Sequence, residues 1–220
     1  LRAGFGTLGI LCNFYAVDHL VLSDASMLNK MSPFFVILFS FLILKEKLTP
    51  IQVTAVCGAF IGSLFIIKPT FLNMNIVPSL IGLCGGLCAG IAYTMVRVLG
   101  QRGQKGVSVV LFFSGFSCLV TLPYLLLNYH TMSMWQGIVL LGAGVAAAGG
   151  QFAITAAYYH APAREISVYD YSQIIFSAII GFALFHQIPD RYSVLGYVII
   201  IGMAVWMFFY NQRRDASDVK

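Results

Sequence analysis

Charge is what this sequence has least of. Asp, Glu, Lys and Arg make up only 10% of the residues, and mean hydropathy is +0.86. A water-soluble domain carries about 25% charged residues. So few charges cannot cover a water-facing surface, so lipid must be the solvent for most of the chain, and no soluble domain fits within it. Acidic residues are scarcer than basic ones, 8 against 13, for a net charge of +5. The basic residues stand singly at the edges of apolar runs, which fits orientation signals and speaks against nucleic acid as a partner. The short alternation of barrel strands is missing too, because the apolar runs far exceed the roughly ten residues a barrel strand needs. Cys12, Cys57, Cys84, Cys88 and Cys118 all lie inside apolar runs. They read as reduced thiols, not as a disulfide framework. Cys84 and Cys88 have a possible metal spacing, but no His or carboxylate stands near them, so neither metal nor other cofactor is expected.

Chemistry-bearing motifs are also lacking. There is no His-Glu-x-x-His and no Gly-x-Ser-x-Gly, and Ser114-Gly115 alone does not make a nucleophile site. No filter loop or ring of charge marks a channel. No phosphate-cradling loop is present, so coupling is expected from an ion gradient or from the solute's own gradient.

What the sequence has is apolar length. Eight segments are expected to span the membrane as helices, at about 3–22, 25–44, 50–67, 76–96, 107–128, 134–158, 165–185 and 192–210. Short Pro-, Gly- and charge-bearing links separate them. Taking alternate links, one side collects Arg2, Lys45, Lys47, Arg97, Arg102, Lys105, Arg164, Arg213, Arg214 and Lys220, and the other only Lys68 and Arg191. The crowded side is expected to be cytoplasmic, with the C-terminus on it.

The chain also matches itself at an offset of 141 residues. His19 meets His160, Asp24 meets Glu165, Ser26 meets Ser167, Phe35 meets Phe176, Glu46 meets Gln187 and Val53 meets Val194, and after a one-residue gap Gly62 meets Gly202. The matched spans are five apart, an odd number, so the copies run in opposite directions. Inverted repeats are the architecture of many secondary transporters. The second copy has five spans and the first shows three. The expected division is therefore the last three helices of one repeat over 1–70, a five-helix repeat over 75–211 and a cytoplasmic tail over 212–220. The chain opens at Leu1 directly on a span, and two upstream helices are expected in a whole protein of about ten.

These residues resemble a known family. Arg2 opening a span, then Phe14-Tyr15-Ala16, Ser23-Asp24-Ala25-Ser26, Ser32-Pro33-Phe34-Phe35, Leu44-Lys45-Glu46-Lys47-Leu48 and Gln52 look like the first repeat of EamA-type proteins of the drug/metabolite transporter superfamily. Asp170-Tyr171-Ser172-Gln173-Ile174-Ile175-Phe176 and Phe185-His186-Gln187-Ile188-Pro189-Asp190 look like the second. Where the family has Gly-Glu before the last loop's proline, this chain has His186-Gln187. The resemblance implies an all-α carrier in a bacterial cytoplasmic membrane that moves metabolites, amino acids or drugs, often outward. A membrane enzyme or a channel is the competing class.

Lys30 and Asp170 are the candidate pathway charges. Each stands about 8 Å inside its span at 1.5 Å per residue, and intramembrane charges often mark solute or ion routes. At the 141-residue offset Asn29-Lys30 corresponds to Asp170-Tyr171. Snorkelling of Lys30 and capping by Asp170 are the bland alternatives. Around them Asn13, Tyr15, Ser32, Tyr93, Gln151, Tyr169, Tyr171 and Gln173 must face protein or a wet cavity, as solute contacts or as hydrogen bonds between helices. A lipid bilayer, a small solute and a coupling proton or ion are the expected partners. Gly82, Gly86, Gly90, Gly142, Gly149 and Gly150 read as close helix packing.

The topology makes a direct prediction. A membrane-impermeant thiol reagent applied to intact cells should label cysteines placed at Thr70 and His130 and spare one placed at Gly103. Labelling at 103 reverses the orientation.

Overall fold

The computed structural model describes residues 1–44, 49–67, 76–128, 131–160 and 172–218. Its helices are α1 (Arg2–His19), α2 (Leu22–Asn29), α3 (Ser32–Leu44), α4 (Pro50–Ile67), α5 (Ile76–Gln101), α6 (Gly106–Leu127), α7 (Met134–His160), α8 (Ser172–Phe185) and α9 (Arg191–Asp218). No strand occurs among the described residues. Six segments are long and apolar enough to cross a membrane: α2 with α3, α4, α5, α6, α7 and residues 191–210 of α9. The protein is an all-α integral membrane protein. α1 is 18 residues long but carries Arg2, Asn13, Asp18 and His19, which lower its hydropathy. It runs antiparallel to α5, with Gly9 against Gly85 and Arg2 beside Tyr93. The expected span 165–185 is represented by α8 from Ser172 onward; its earlier part lies outside the described residues.

The segment expected as one helix over 25–44 is two, meeting at Lys30-Met31. Pro33 is the physical reason. It has no N–H to give the Asn29 carbonyl, and its ring crowds that carbonyl. The bonding tightens around it. The Lys30 N–H still reaches Ser26 O at 3.0 Å, but the Met31 N–H turns to Leu28 O at 3.2 Å and the Phe34 N–H to Met31 O at 3.1 Å.

Glycines on α5 receive this break. A methyl on Gly86 would come within 2.6 Å of the Leu28 carbonyl oxygen and 3.2 Å of the Asn29 oxygen. On Gly90 it would stand 2.5 Å from Phe35 Cβ and 3.1 Å from the Ser32 carbonyl oxygen. Close backbone approach of this kind is how helices associate where lipid supplies no hydrophobic drive. α4 and α9 meet the same way: a methyl on Gly62 would lie 3.1 Å from Gly196 O, and one on Gly196 2.7 Å from Gly62 O. Gly142, Gly149 and Gly150 differ from expectation, since no atom lies within 4 Å of where their Cβ would be. α7 packs through Thr155 and Tyr158, so these glycines fall on its open faces.

A buried polar seam ties α2 to the last two helices. The Tyr197 hydroxyl donates to the Asp24 carboxylate and lies 3.0 Å from Ser23 Oγ. Ser26 Oγ and Ser177 Oγ are 2.8 Å apart. The Gln187 side-chain oxygen accepts the Leu22 N–H at 2.9 Å, satisfying a donor at the start of α2. The chain is turned to make that bond by His186, which adopts φ +53°. Its N–H reaches Phe182 O at 3.1 Å and that of Gln187 reaches Gly181 O at 3.0 Å. This helix ending prefers glycine at the position of His186. The final helix continues to Asp218, past the expected end near 210, because residues 211–218 contain neither Gly nor Pro to stop it.

Two stability predictions follow from this packing, both read from unfolding in mixed micelles of sodium dodecyl sulfate. Gly86→Ala should destabilise by about 1–3 kcal/mol, the usual cost of overpacking, whereas Gly115→Ala on open α6 should not. His186→Gly should stabilise by about 1 kcal/mol by removing left-handed strain. Equal stability of Gly86→Ala and the parent would refute the tight contact.

Candidate solute site

A cavity of about 110 Å³ opens beside the helix break. α1 contributes Arg2, Gly6, Gly9, Ile10 and Asn13, and the break contributes Asn29. α5 supplies Ala89, Ala92 and Tyr93, α6 supplies Phe113, and α7 supplies Gln151. Five elements thus converge on one space with small residues as floor and amides, a guanidinium and aromatic rings as walls. Mostly apolar lining with a few convergent polar groups is the usual make-up of a small-molecule site.

The helices explain why these side chains meet. Arg2, Gly6, Gly9 and Asn13 are spaced 4, 3 and 4 apart, which places them on one face of α1. Gly9 lets α1 approach α5 closely: a methyl there would be 3.2 Å from Gly85 O. Tyr93 is fixed by stacking on Tyr158 of α7, with centroids 4.8 Å apart and planes at 8°. Gln151 donates from its amide nitrogen to Thr155 Oγ1 at 3.3 Å. Thr7 Oγ1 lies 2.7 Å from Ser117 Oγ and holds α6 against α1.

Arg2 departs most from the sequence reading, which placed it among the charges of the cytoplasmic edge. It is only 8% exposed. Its guanidinium carbon lies 4.2 Å from the centre of the Phe113 ring and 5.9 Å from that of Tyr93. Its Nε has no hydrogen-bond partner. Tyr93 stands within α5, eight residues before its end at Gln101, so the guanidinium beside it is enclosed by the bundle, and a cation enclosed in this way needs compensating partners. The face Arg2-Gly6-Gly9-Asn13 was the available signal, hidden because a charge near a span's start reads as a topology marker.

Of the sequence candidates, Asn13, Asn29, Tyr93 and Gln151 line the cavity. Ser32 is buried in the packing against α5. Lys30 is half-buried at the break and is not among the lining residues. Tyr15 is exposed and stacks on His19 at 4.2 Å. Gln173 is exposed. Tyr169, Asp170 and Tyr171 lie outside the described residues. The joint placement of Lys30 and Asp170 is therefore not on view.

Comparison with known proteins supplies the class. The EamA-like transporter family matches residues 1–68 and 80–209. The pseudopaline exporter CntI of Pseudomonas aeruginosa is 33% identical over 204 residues, covering 91% of this chain and 71% of that protein. The riboflavin transporter of Brucella anthropi is 28% identical over 99% of this chain and 76% of its own length. The S-adenosylmethionine uptake transporter of Rickettsia prowazekii is 23% identical over 93% and 68%. One crystal structure shares the fold at TM-score 0.62 and 18% identity, covering 92% of this chain and 74% of its own.

If the cavity's polar wall is a unit, Tyr93→Ala should loosen α7 as well as open the cavity. Protease sensitivity of the 101–106 link, which lies at the Tyr158 end of α7 beside Tyr159, measured in detergent, should rise several-fold over the parent. No change would show that the Tyr93–Tyr158 stack holds nothing.

These helices, this cavity and these matches agree, and the chain belongs to the EamA-like transporter family: it is a membrane transporter, not an enzyme.

Proposed function

We propose that the protein moves a small metabolite out of the cell by alternating access and that the cavity beside the α2–α3 break is its solute site. The observation that carries this reading is the convergence of Asn13, Asn29, Tyr93 and Gln151 from four helical elements on one space beside an interrupted helix. Interrupted helices at repeat interfaces are where secondary transporters bind their cargo. Export is favoured over uptake because the 33% identical relative is named an exporter and the one named for uptake is 23% identical.

Two inverted repeats supply the moving parts in this reading. One pairing supports it. His19 and His160, matched at the 141-residue offset, hold the carbonyls of Tyr15 and Ala156, each four residues back, at 2.9 and 2.8 Å. Lys30 and Asp170 enter the proposal on their sequence positions, as charges flanking the route, with Asp170 as a carrier of the coupling proton. The membrane is the bacterial cytoplasmic one, with the C-terminus inside.

The test is transport of a metabolite panel by the full chain in vesicles. Ala89→Phe, which fills the cavity, should cut transport at least tenfold while leaving helical content and membrane insertion unchanged. Lys30→Met and Asp170→Asn should each slow it severalfold. Wild-type rates in Ala89→Phe would remove the cavity from the route, and wild-type rates in both charge variants would reduce Lys30 and Asp170 to snorkelling and capping.

A further inference from the structure

We propose that Arg2 is the anchor of the solute site and that the site takes a metabolite bearing a single carboxylate. The inference rests on the cavity being the solute site and names the chemistry that site selects.

Three observations carry it. First, Arg2 is a buried cation within the bundle, 8% exposed, and among the described residues it has no ion-pair partner. An uncompensated buried charge is strongly unfavourable, so a fixed guanidinium without a counter-charge points to one that arrives with the ligand. Second, the geometry leaves the right atoms free. Phe113 covers the guanidinium from 4.2 Å, and Tyr93 lies 5.9 Å away. A cation held over a ring face keeps its N–H groups available. Nε is buried without a partner and opens on no free space. The two terminal nitrogens, which are not sealed in this way, form the fork that grips a carboxylate through two parallel hydrogen bonds. Third, Gly6 is shaped around this group. A methyl on Gly6 would collide with an Arg2 terminal nitrogen and approach Phe113 Cε2 to 2.7 Å. The glycine is needed for the guanidinium to sit where it does.

Charge balance selects the ligand class. Arg2 is the one charged side chain among the described residues lining the cavity; the remaining polar lining is Asn13, Asn29, Tyr93 and Gln151. One carboxylate neutralises the site. A dianionic phosphate would leave a net negative charge in a low-dielectric space, and a cationic solute would be repelled. The amides are placed to pair with neutral donors and acceptors elsewhere on the solute, and the two rings and Ile10 offer apolar contact.

The experiment measures binding, not transport. The full chain in dodecylmaltoside is titrated with benzoate and nicotinate, with benzamide and nicotinamide as neutral counterparts and glycerol 3-phosphate as the phosphate arm. Affinity is read from the shift in thermal unfolding midpoint. At least one carboxylate should stabilise the parent and bind at least tenfold tighter than its amide. Arg2→Gln should abolish that preference, and Gly6→Ala should weaken it. Arg2→Lys keeps the charge but loses the fork and should bind at least tenfold more weakly, which carries the test if Arg2→Gln does not fold. The assignment is overturned if no acid stabilises the parent, if the amides or glycerol 3-phosphate bind as tightly, or if Arg2→Lys binds unchanged. Ala89→Phe separates the two levels. Binding lost in Ala89→Phe but kept in Arg2→Gln leaves the cavity standing and removes Arg2. Binding kept in both removes the cavity as well.

Discussion

The contact between the glycines of α5 and the broken helix α2–α3 is the constraint on which the rest depends. Pro33 forces the break, and the break leaves carbonyls of Leu28, Asn29 and Ser32 facing α5. Those oxygens can stand beside α5 only because Gly86 and Gly90 offer no side chain there. In lipid, backbone polar groups freed by a proline must be covered by neighbouring protein. α5 does this while remaining a continuous 26-residue helix. With α2–α3 seated, Asn29 faces the same space as Ala89, Ala92 and Tyr93 further along α5. The cavity is thus a by-product of how the break is packed.

The same logic of satisfied backbone explains the seam at the other end of α2. Leu22 begins a helix inside the bundle, so its N–H needs an acceptor, and Gln187 supplies one from the loop after α8. This bears on the departure from the family pattern at His186-Gln187. A glutamate and a glutamine both present a side-chain oxygen, and a backbone N–H needs no more than that. The position reads as a cap joining two elements. Its neighbour did not escape cost: His186 occupies a left-handed conformation where glycine fits better. Asp24, buried and hydrogen-bonded to Tyr197, likewise belongs to the joint between α2 and α9.

The relation between stability and function follows. The close contacts lie on one side of the cavity, where α1, the break and α5 interlock and α4 locks onto α9. The wall formed by α6 and α7 is held by fewer links: Thr7 to Ser117, Tyr93 on Tyr158, and Gln151 with Thr155 within α7. Elements with few buried contacts open at the lowest free energy, so α6 and α7 are the helices that should loosen first.

Much was legible from the sequence. Low charge and long apolar runs determined an all-α membrane protein, and the repeated polar residues with the Ser32-Pro33-Phe34-Phe35 stretch pointed to the EamA-type family. Helix limits such as Pro50–Ile67 came directly from prolines and charges. Asn13, Asn29, Tyr93 and Gln151 could be picked out because a polar group in an apolar run must have a reason. Hydropathy sums over a window, however, and treats position around the helix axis as equal. It therefore read Arg2 as an edge charge, treated Gly142 like Gly86, and passed over the break at Lys30-Met31. Only tertiary packing decides which face of each helix meets another. That choice turns one glycine into a contact and leaves another to lipid, and it makes an arginine the wall of a cavity.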